Sequence, residues 1–276
     1  MYSLIINLGL RSIRAILFDQ HGNKVGQEWL PVQTTLNGHR VEQNPNEWWE
    51  LAVRVTRRVL GKTGVAAEVH NVSITSPSNC LVVLSNNGEV LMPSLMVADK
   101  RAITQALKLE KNPAFSRIFD NPNHLAEASF LFPKIMWIQE NHPDIMQQAC
   151  TFLNANDYLV YKLTGKTVTD PLNAEKFYYD SDHVGYPLEL IEHLGLHNDM
   201  FPTVQPIGTD IGPILPDVFN TMGLSHKTRV TLGTYDAICA FWGSGVSAEG
   251  EACNVSGTSL SFRVLSKKPA GQNDTG

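Results

Sequence analysis

The sequence predicts an α/β fold, and three observations support this prediction. Three short apolar runs near the amino terminus are separated by tight turns, which indicates an antiparallel meander. Further strand-like runs and amphipathic helical segments follow one another along the rest of the chain. Late in the chain, an apolar run ends at Gly233 and leads through Asp236 into a helix. Open α/β sheets form their ligand crevices at such strand-to-helix junctions.

The composition is that of an ordinary globular protein, and 276 residues suffice for one large domain or two smaller ones. The formal net charge of −5 and the lack of a basic run argue against nucleic acid as a partner. No apolar run is long enough for a membrane span, and the amino terminus does not resemble a signal peptide. The four cysteines form no CxxC pair and no disulfide ladder, so we expect buried free thiols in a reducing cytoplasm.

The amino-terminal meander is predicted to have strands at residues 2–8, 13–19 and 24–30. Its first turn, residues 7–12, places backbone N–H groups and Arg11 at the mouth of the sheet. Successive backbone amides in such a turn can hold a phosphate. A plain hairpin explains the same residues, and the turn alone does not decide between the two interpretations.

The first helix is predicted from Asn44 and Pro45, because Asn caps helices and Pro suits the first turn. Gly61 and Gly64 are expected to end it. Its predicted apolar stripe consists of Trp49, Val53, Thr56 and Leu60.

The middle of the chain continues with a predicted strand at residues 69–75, followed by a loop at residues 76–79. Residues 81–84 and 89–92 flank an Asn-Gly pair, which predicts a hairpin. Further helices are predicted at 132–141, from Pro143 onward, at 155–163 and at 187–194. The remaining stretches are a polar-aromatic loop at 170–179 and a Pro-rich surface segment at 201–216.

Two sets of charged residues stand out in this pattern. Asp99 and Arg101 lie two positions apart just before a helix, where they suit either a polar substrate or a solvated helix start. Asp236 lies between a strand and a helix, where the helix dipole favours an ionised carboxylate. A helix cap is the plainer interpretation of Asp236. A second Gly-rich turn follows at residues 254–259, and it favours the interpretation of Asp236 as a base beside a phosphate site.

Several short motifs occur in one order along nearly the whole chain. They are the turn Asn7-Leu8-Gly9-Leu10, Glu42-Gln43-Asn44-Pro45 with Trp48-Trp49, residues 134–141, Asn156-Asp157-Tyr158-Leu159, Leu163-Thr164-Gly165, Asp170, and Gly257-Thr258-Ser259. Together they resemble the FGGY family of carbohydrate kinases, within the actin/hexokinase-like ATPase superfamily. The resemblance is closest to its xylulokinase-like branch.

This resemblance implies an RNase H-like α/β domain with inserted helices at residues 1–248, which binds sugar, and the start of an ATP-binding domain at residues 249–276. The implied activity is ATP-dependent phosphorylation of a sugar or polyol hydroxyl, with a pentulose such as xylulose favoured, in the cytoplasm. ATP and Mg²⁺ are the implied cofactors. The implied partners are a small sugar or polyol and either a missing ATP-binding half or a second copy of the chain.

The same resemblance assigns roles to individual residues. Asp236 corresponds to the general base that takes the proton of the sugar hydroxyl. Asn79, Asp99 and Arg101 correspond to positions near the sugar hydroxyls. The residues of the two phosphate turns are Gly9, Leu10, Arg11, Gly257, Thr258 and Ser259.

Some positions depart from the family pattern. Asn7 replaces an Asp that contacts the metal ion through water, Leu10 replaces a Thr, and Ala237 replaces an Asn or Gln. Residues 76–79 replace the usual Gly-Gln-Met-His, so they do not indicate which sugar binds. A non-catalytic sugar-binding module, a pseudokinase or an incomplete fragment is therefore the alternative interpretation. We expect the chain to fold by itself and to need an ATP-binding half for activity.

Overall fold

The structure is a computed structural model that describes residues 1–118, 126–181, 183–256 and 260–267. Its strands are β1 (Tyr2–Leu8), β2 (Ser12–Asp19), β3 (Lys24–Pro31), β4 (Thr35–Asn37), β5 (Arg40–Gln43), β6 (Val69–Thr75), β7 (Val82–Ser85), β8 (Ser94–Leu95), β9 (Ala149–Leu153), β10 (Val168–Thr169), β11 (Thr203–Val204), β12 (Asp210–Pro213), β13 (Arg229–Thr231), β14 (Ala252–Ser256) and β15 (Leu260–Val264). Its α-helices are α1 (Pro45–Thr63), α2 (Ile103–Glu110), α3 (Pro113–Ile118), α4 (Leu131–Asn141), α5 (Pro143–Gln148), α6 (Ala155–Thr164), α7 (Pro171–Ala174), α8 (Leu188–His193), α9 (Pro216–Met222) and α10 (Asp236–Gly243).

The central sheet has six strands in the order β12-β13-β6-β1-β2-β3. Its first three strands in sequence form the predicted antiparallel meander, while β1, β6 and β13 run parallel to one another. The carboxyl ends of these three parallel strands therefore meet at one edge of the sheet. This order and direction confirm the predicted RNase H-like α/β fold.

Two hydrophobic clusters divide the interior. The first lies between the central sheet and helices α1 and α6. The second is formed largely by helices α2, α3, α4 and α8 and holds a group of aromatic rings, in which Phe132 stacks on Tyr178 and contacts Phe201. These helices come from the chain between β6 and β13, which confirms the prediction that helices are inserted into the fold.

Helix α1 begins and ends as its sequence predicts. The side chain of Asn44 accepts a hydrogen bond from the amide of Asn46, and Gly64 ends the helix with a left-handed φ of 72°. The predicted apolar stripe is confirmed at Thr56 and Leu60, which are buried, whereas Trp49 and Val53 are half-buried and pack against the edge of the core cluster. The helix has apolar residues on two adjacent rows, and packing against the sheet buries the row that contains Trp48, Leu51, Ala52, Val55 and Val59.

Two further segments differ from their predictions. Residues 170–179 are not simply a loop, because Asp170 caps the short helix α7 by accepting hydrogen bonds from the amides of Leu172 and Asn173. The Pro-rich segment at 201–216 contributes β11 and β12, and it buries Phe201, Ile211 and Ile214 rather than only covering the surface.

The predicted hairpin at residues 81–92 forms only in part. Its turn closes through a bond from the amide of Gly88 to the carbonyl of Ser85. The second arm is too short to count as a strand, but it bridges Leu84 through Val90 and donates from the amide of Leu91 to the carbonyl oxygen of Val83. β7 also pairs with β9. Among the cysteines, all free, only Cys80 is buried as predicted; Cys150 and Cys239 are exposed and Cys253 is half-buried. Across the described ranges, no helix has the length and apolar character of a membrane span.

Candidate functional site

Three of the segments that carry predicted site residues follow neighbouring strands of the central sheet. Asn7 at the end of β1 lies beside Thr75 at the end of β6, and Thr231 at the end of β13 lies beside Ser73. The turn at residues 9–11, the loop at 76–79 and the segment at 232–236 therefore leave the sheet at the same edge. This is the arrangement in which open α/β sheets form ligand crevices.

Asp236 is the first residue of α10, and the preceding residue, Tyr235, occupies the cap position without a side-chain capping bond. The amide of Asp236 donates to the carbonyl oxygen of Ser76 at 2.9 Å. Burial raises the pKa of Asp236, while the amide of Ala237 and the charge of Arg263 lower it in part. The net effect is a carboxylate that is more basic than an exposed one.

The turn before Asp236 is fixed from two sides. A Cβ on Gly233 would lie 2.2 Å from the carbonyl oxygen of Ile74, so only glycine allows β6 to approach this closely. The hydroxyl of Thr234 donates to Asp170 at 2.8 Å, which ties the turn to the start of α7. The position of Asp236 is thus set by tertiary contacts on both sides of the strand end.

Next to this turn lies a buried pair of carboxyl groups, Asp157 and Asp170. Asp157 accepts a hydrogen bond from the amide of Asn154 at 3.0 Å. Burial, followed by the nearby charge of Asp170, raises the pKa of Asp157 well above its usual value. Burial is also the main cause that raises the pKa of Asp170.

Asn79 lies in the loop after β6 with a φ of 60°, in the left-handed region that Asn adopts more readily than most residues. It is buried, and its side-chain oxygen has no hydrogen-bond partner in the described part of the chain. A buried amide oxygen is costly to leave unpaired. A hydroxyl of a bound molecule or an ordered water would satisfy it.

Asp99 and the side chain of Arg101 are buried, so the alternative interpretation of a solvated helix start was wrong. Asp99 is only 1% exposed. The guanidinium of Arg101 donates to Asp99 at 2.7 Å and to Glu42 at 2.7 Å, and it lies 4.7 Å from the ring centre of Trp137. Asp99 also accepts from the amide of Val41. Most of its hydrogen-bonding capacity is therefore used within the protein.

The first turn is held by a residue to which the sequence analysis gave no role. The buried side chain of Gln43 donates to the carbonyl oxygen of Leu10 at 2.9 Å and accepts from the indole of Trp48 at 2.8 Å. Gly9 donates to Ser12, whereas the side chains of Leu10 and Arg11 are exposed. The signal for Gln43 was the motif at residues 42–49, in which it stands near a Trp that needs a buried acceptor.

The second predicted phosphate turn, Gly257-Thr258-Ser259, lies outside the described residues. The strands that flank it, β14 and β15, pair antiparallel from Ala252 opposite Val264 to Ser256 opposite Leu260. Residues 254–256 of the predicted Gly-rich turn therefore belong to β14.

A magnesium ion is implied by the resemblance, and the residues present can be tested for it. Mg²⁺ is usually held by one or two carboxylates together with phosphates and water. At this edge the neutral amide of Asn7 stands at the expected metal position, and Asp236 is the residue predicted as the base. Within the described ranges, no three His, Cys, Asp or Glu side chains cluster as metal ligands. Asp236 is therefore the one carboxylate among the residues predicted at this edge, and Asn7 offers a neutral amide oxygen.

The sheet order and the inserted helices define an α/β domain with the actin/hexokinase-like ATPase fold. The match to known families is specific. Residues 2–243 match the N-terminal domain of the FGGY family of carbohydrate kinases, and the chain belongs to this family.

Relatives of known name are similar over most of this chain. An autoinducer-2 kinase of Enterobacter sp. (strain 638) is 28% identical over 267 residues, covering 93% of this chain and 50% of that protein. The xylulose kinase of Bacillus subtilis (strain 168) is 24% identical over 268 residues, covering 95% and 53%. The crystal structure of gluconate kinase from Lactobacillus acidophilus has a TM-score of 0.89 at 19% identity and covers 99% of this chain and 56% of that one. The chain thus spans about half the length of the curated relatives it matches.

Proposed function

We propose that this chain forms the sugar-binding half of a carbohydrate kinase. The reaction would transfer the γ-phosphoryl group of ATP to a hydroxyl of a pentulose such as xylulose, or of a similar polyol. The observation that supports this most strongly is the position of Asp236 at the carboxyl edge of the parallel strands, beside the loop that carries Asn79. Family membership and the names of the relatives agree with a small polyhydroxylated substrate.

In the proposed reaction, Asp236 takes the proton of the attacking hydroxyl. A sugar hydroxyl is a poor nucleophile until a base within hydrogen-bond reach accepts its proton. Burial makes the carboxylate of Asp236 more basic, which suits this task. The side-chain oxygen of Asn79 would accept a bond from a second hydroxyl and so orient the sugar. Beside them, Asp99 and Arg101 would contribute a polar wall, with their own ion pair holding its shape.

The nucleotide would bind at the same edge of the central sheet, on the side opposite the sugar. Backbone amides of the turn at residues 9–11 and of the turn at residues 257–259 would hold its phosphates. Catalysis of phosphoryl transfer depends mainly on alignment and on neutralising charge. In this proposal residues 1–248 form the sugar-binding domain, residues 249–276 begin the ATP-binding domain, and an ATP-binding half supplies the adenosine pocket.

A non-catalytic sugar-binding module is the second candidate. Asn7 favours it, because a neutral amide stands where the family has a carboxylate. Leu10 favours it as well, since its exposed apolar side chain replaces a hydroxyl at the proposed phosphate turn. Under this alternative the sugar site is kept and the phosphoryl-transfer site is lost.

Calorimetric titration of the chain with pentuloses, hexuloses, gluconate and glycerol tests the proposal. We expect a pentulose to bind best, and we expect Asp236→Asn to change its affinity by no more than a few-fold. If none of these compounds binds at millimolar concentration, the chain does not carry a sugar site of this kind. Binding without any ATP-dependent turnover, even when an ATP-binding half is supplied, would favour the non-catalytic module.

A further inference from the structure

We infer that Lys134 is a positioning residue for the sugar site. Its ammonium group joins the loop that carries Asn79 to the segment that carries Asp99, and so sets the width of the site between them. This inference rests on the proposed function, because it concerns the same site.

The side chain of Lys134 extends from α4 into the interior and is completely buried. Its Nζ donates to the carbonyl oxygens of Asn79 at 2.5 Å, Met96 at 2.9 Å and Leu95 at 3.3 Å. The first acceptor belongs to the loop after β6, and the other two belong to β8 and the residue after it. One side chain therefore connects two segments that are distant in sequence.

Each of these segments leads to a proposed site residue. The loop that ends at Asn79 begins at Ser76, whose carbonyl oxygen accepts from the amide of Asp236. On the other side, the carbonyl oxygen of Met96 also accepts from the amide of Asp99 at 3.0 Å. Lys134 thus links the segment at Asp236 to the segment at Asp99 through hydrogen bonds and the backbone of the loop at residues 76–79.

The chemistry of the three acceptors requires the charged form of the side chain. An ammonium group has three N–H donors, which match three carbonyl oxygens, whereas a neutral amine has only two. Burial lowers the pKa of Lys134 to about 8, so the charge is costly at this position. None of the described carboxylates forms an ion pair with it. An apolar side chain at this position would avoid the cost of burying a charge. We therefore explain the lysine by the three backbone carbonyl groups that it holds in place.

The test compares Lys134→Met with Leu60→Ala, a cavity variant in the other hydrophobic cluster. Met keeps the length of Lys and removes all three donors. We expect Lys134→Met to lower the calorimetric sugar affinity at least tenfold, and Leu60→Ala to leave it unchanged at a similar loss of melting temperature. Equal affinities in the two variants would overturn the inference.

Hydrogen exchange measured by mass spectrometry gives a readout that does not depend on sugar. In Lys134→Met, residues 76–80 and 95–99 should exchange faster together, while the central strands keep their protection. Faster exchange throughout the second hydrophobic cluster, or in only one of the two segments, would show a packing role and contradict the inference. If Lys134→Met does not fold, Lys134→Gln, which retains two donors, is measured in the same way. If the wild-type chain binds no sugar, the proposed function is wrong. Hydrogen exchange then still shows whether Lys134 fixes the two segments.

Discussion

The amide of Asp236 donates a hydrogen bond of 2.9 Å to the carbonyl oxygen of Ser76, and this bond joins the start of α10 to the loop after β6. The same loop ends at Asn79, whose buried side-chain oxygen has no partner among the described residues. The proposed base and the proposed sugar-binding amide therefore belong to one corner of the sheet edge. Variants that remove one and keep the other can separate binding from chemistry.

Replacing Asn79 with Gly should lower sugar affinity without destabilising the fold. Glycine adopts the φ of 60° at this position without strain, so the free energy of unfolding should stay within about 1 kcal/mol of wild type. The loss of the side-chain oxygen should weaken sugar binding roughly tenfold or more. Calorimetry and urea unfolding measure the two quantities. Unchanged affinity for the sugar that binds wild type would remove Asn79 from the site.

The ion pair of Arg101 should be a large contributor to stability. Its side chain is only 6% exposed, and removing it leaves Asp99 buried without its main partner. We expect Arg101→Met to lower the free energy of unfolding by about 3–5 kcal/mol. Lys62→Met is the matched control, because Lys62 pairs with Glu28 while remaining 70% exposed, and it should cost less than about 1 kcal/mol. Similar losses in the two variants, measured by urea unfolding, would contradict this account of Arg101.

The buried carboxyl group of Asp157 should make stability fall as the pH rises. Burial and nearby Asp170 raise its pKa in the folded chain, so the folded state binds more protons than the unfolded state above the ordinary carboxyl pKa. Asp157→Asn should therefore be more stable than wild type at pH 7, and the difference should disappear near a pH of about 4. Urea unfolding across this pH range gives the measurement.

Asp19 provides a control of opposite sign for the pH series. It is half-buried, and hydrogen bonds from Asn23 lower its pKa. Asp19→Asn loses a stabilising carboxylate, so it should be less stable than wild type at pH 7. This difference should disappear as the pH falls and Asp19 becomes protonated in wild type. The account of Asp157 fails if wild type gains stability over Asp157→Asn as the pH rises from 4 to 7.

The strand and helix boundaries were largely predictable because they depend on local chemistry. Asn44, Pro45 and Gly64 determine the ends of α1 through capping and backbone conformation. The face that α1 buries was harder to predict, because either Trp48 or Trp49 could face the sheet. Only the contact with Gln43, which is set by the tertiary fold, decides between them.

The site was predictable as a set of positions and not as a set of contacts. The strand before Asp236 and the loop that ends at Asn79 could be found from apolar runs and turns. The burial of Arg101 depends on Glu42 and Trp137, which are distant in sequence, so a charged helix start looked equally suited to solvent. Lys134 was recognised only as part of a motif, since the carbonyl groups that it joins meet only in the folded chain.

Sugar-dependent release of ADP tests the central claim, that Asp236 is the base of a sugar kinase, most directly. It is measured for this chain alone and with an ATP-binding half of a relative supplied in trans, for wild type and for Asp236→Asn. The account predicts turnover only with the added half, and a fall of roughly 10²–10⁴-fold in Asp236→Asn with sugar affinity kept. Near-full turnover in Asp236→Asn, or no turnover in wild type that binds both the sugar and the added half, would contradict it.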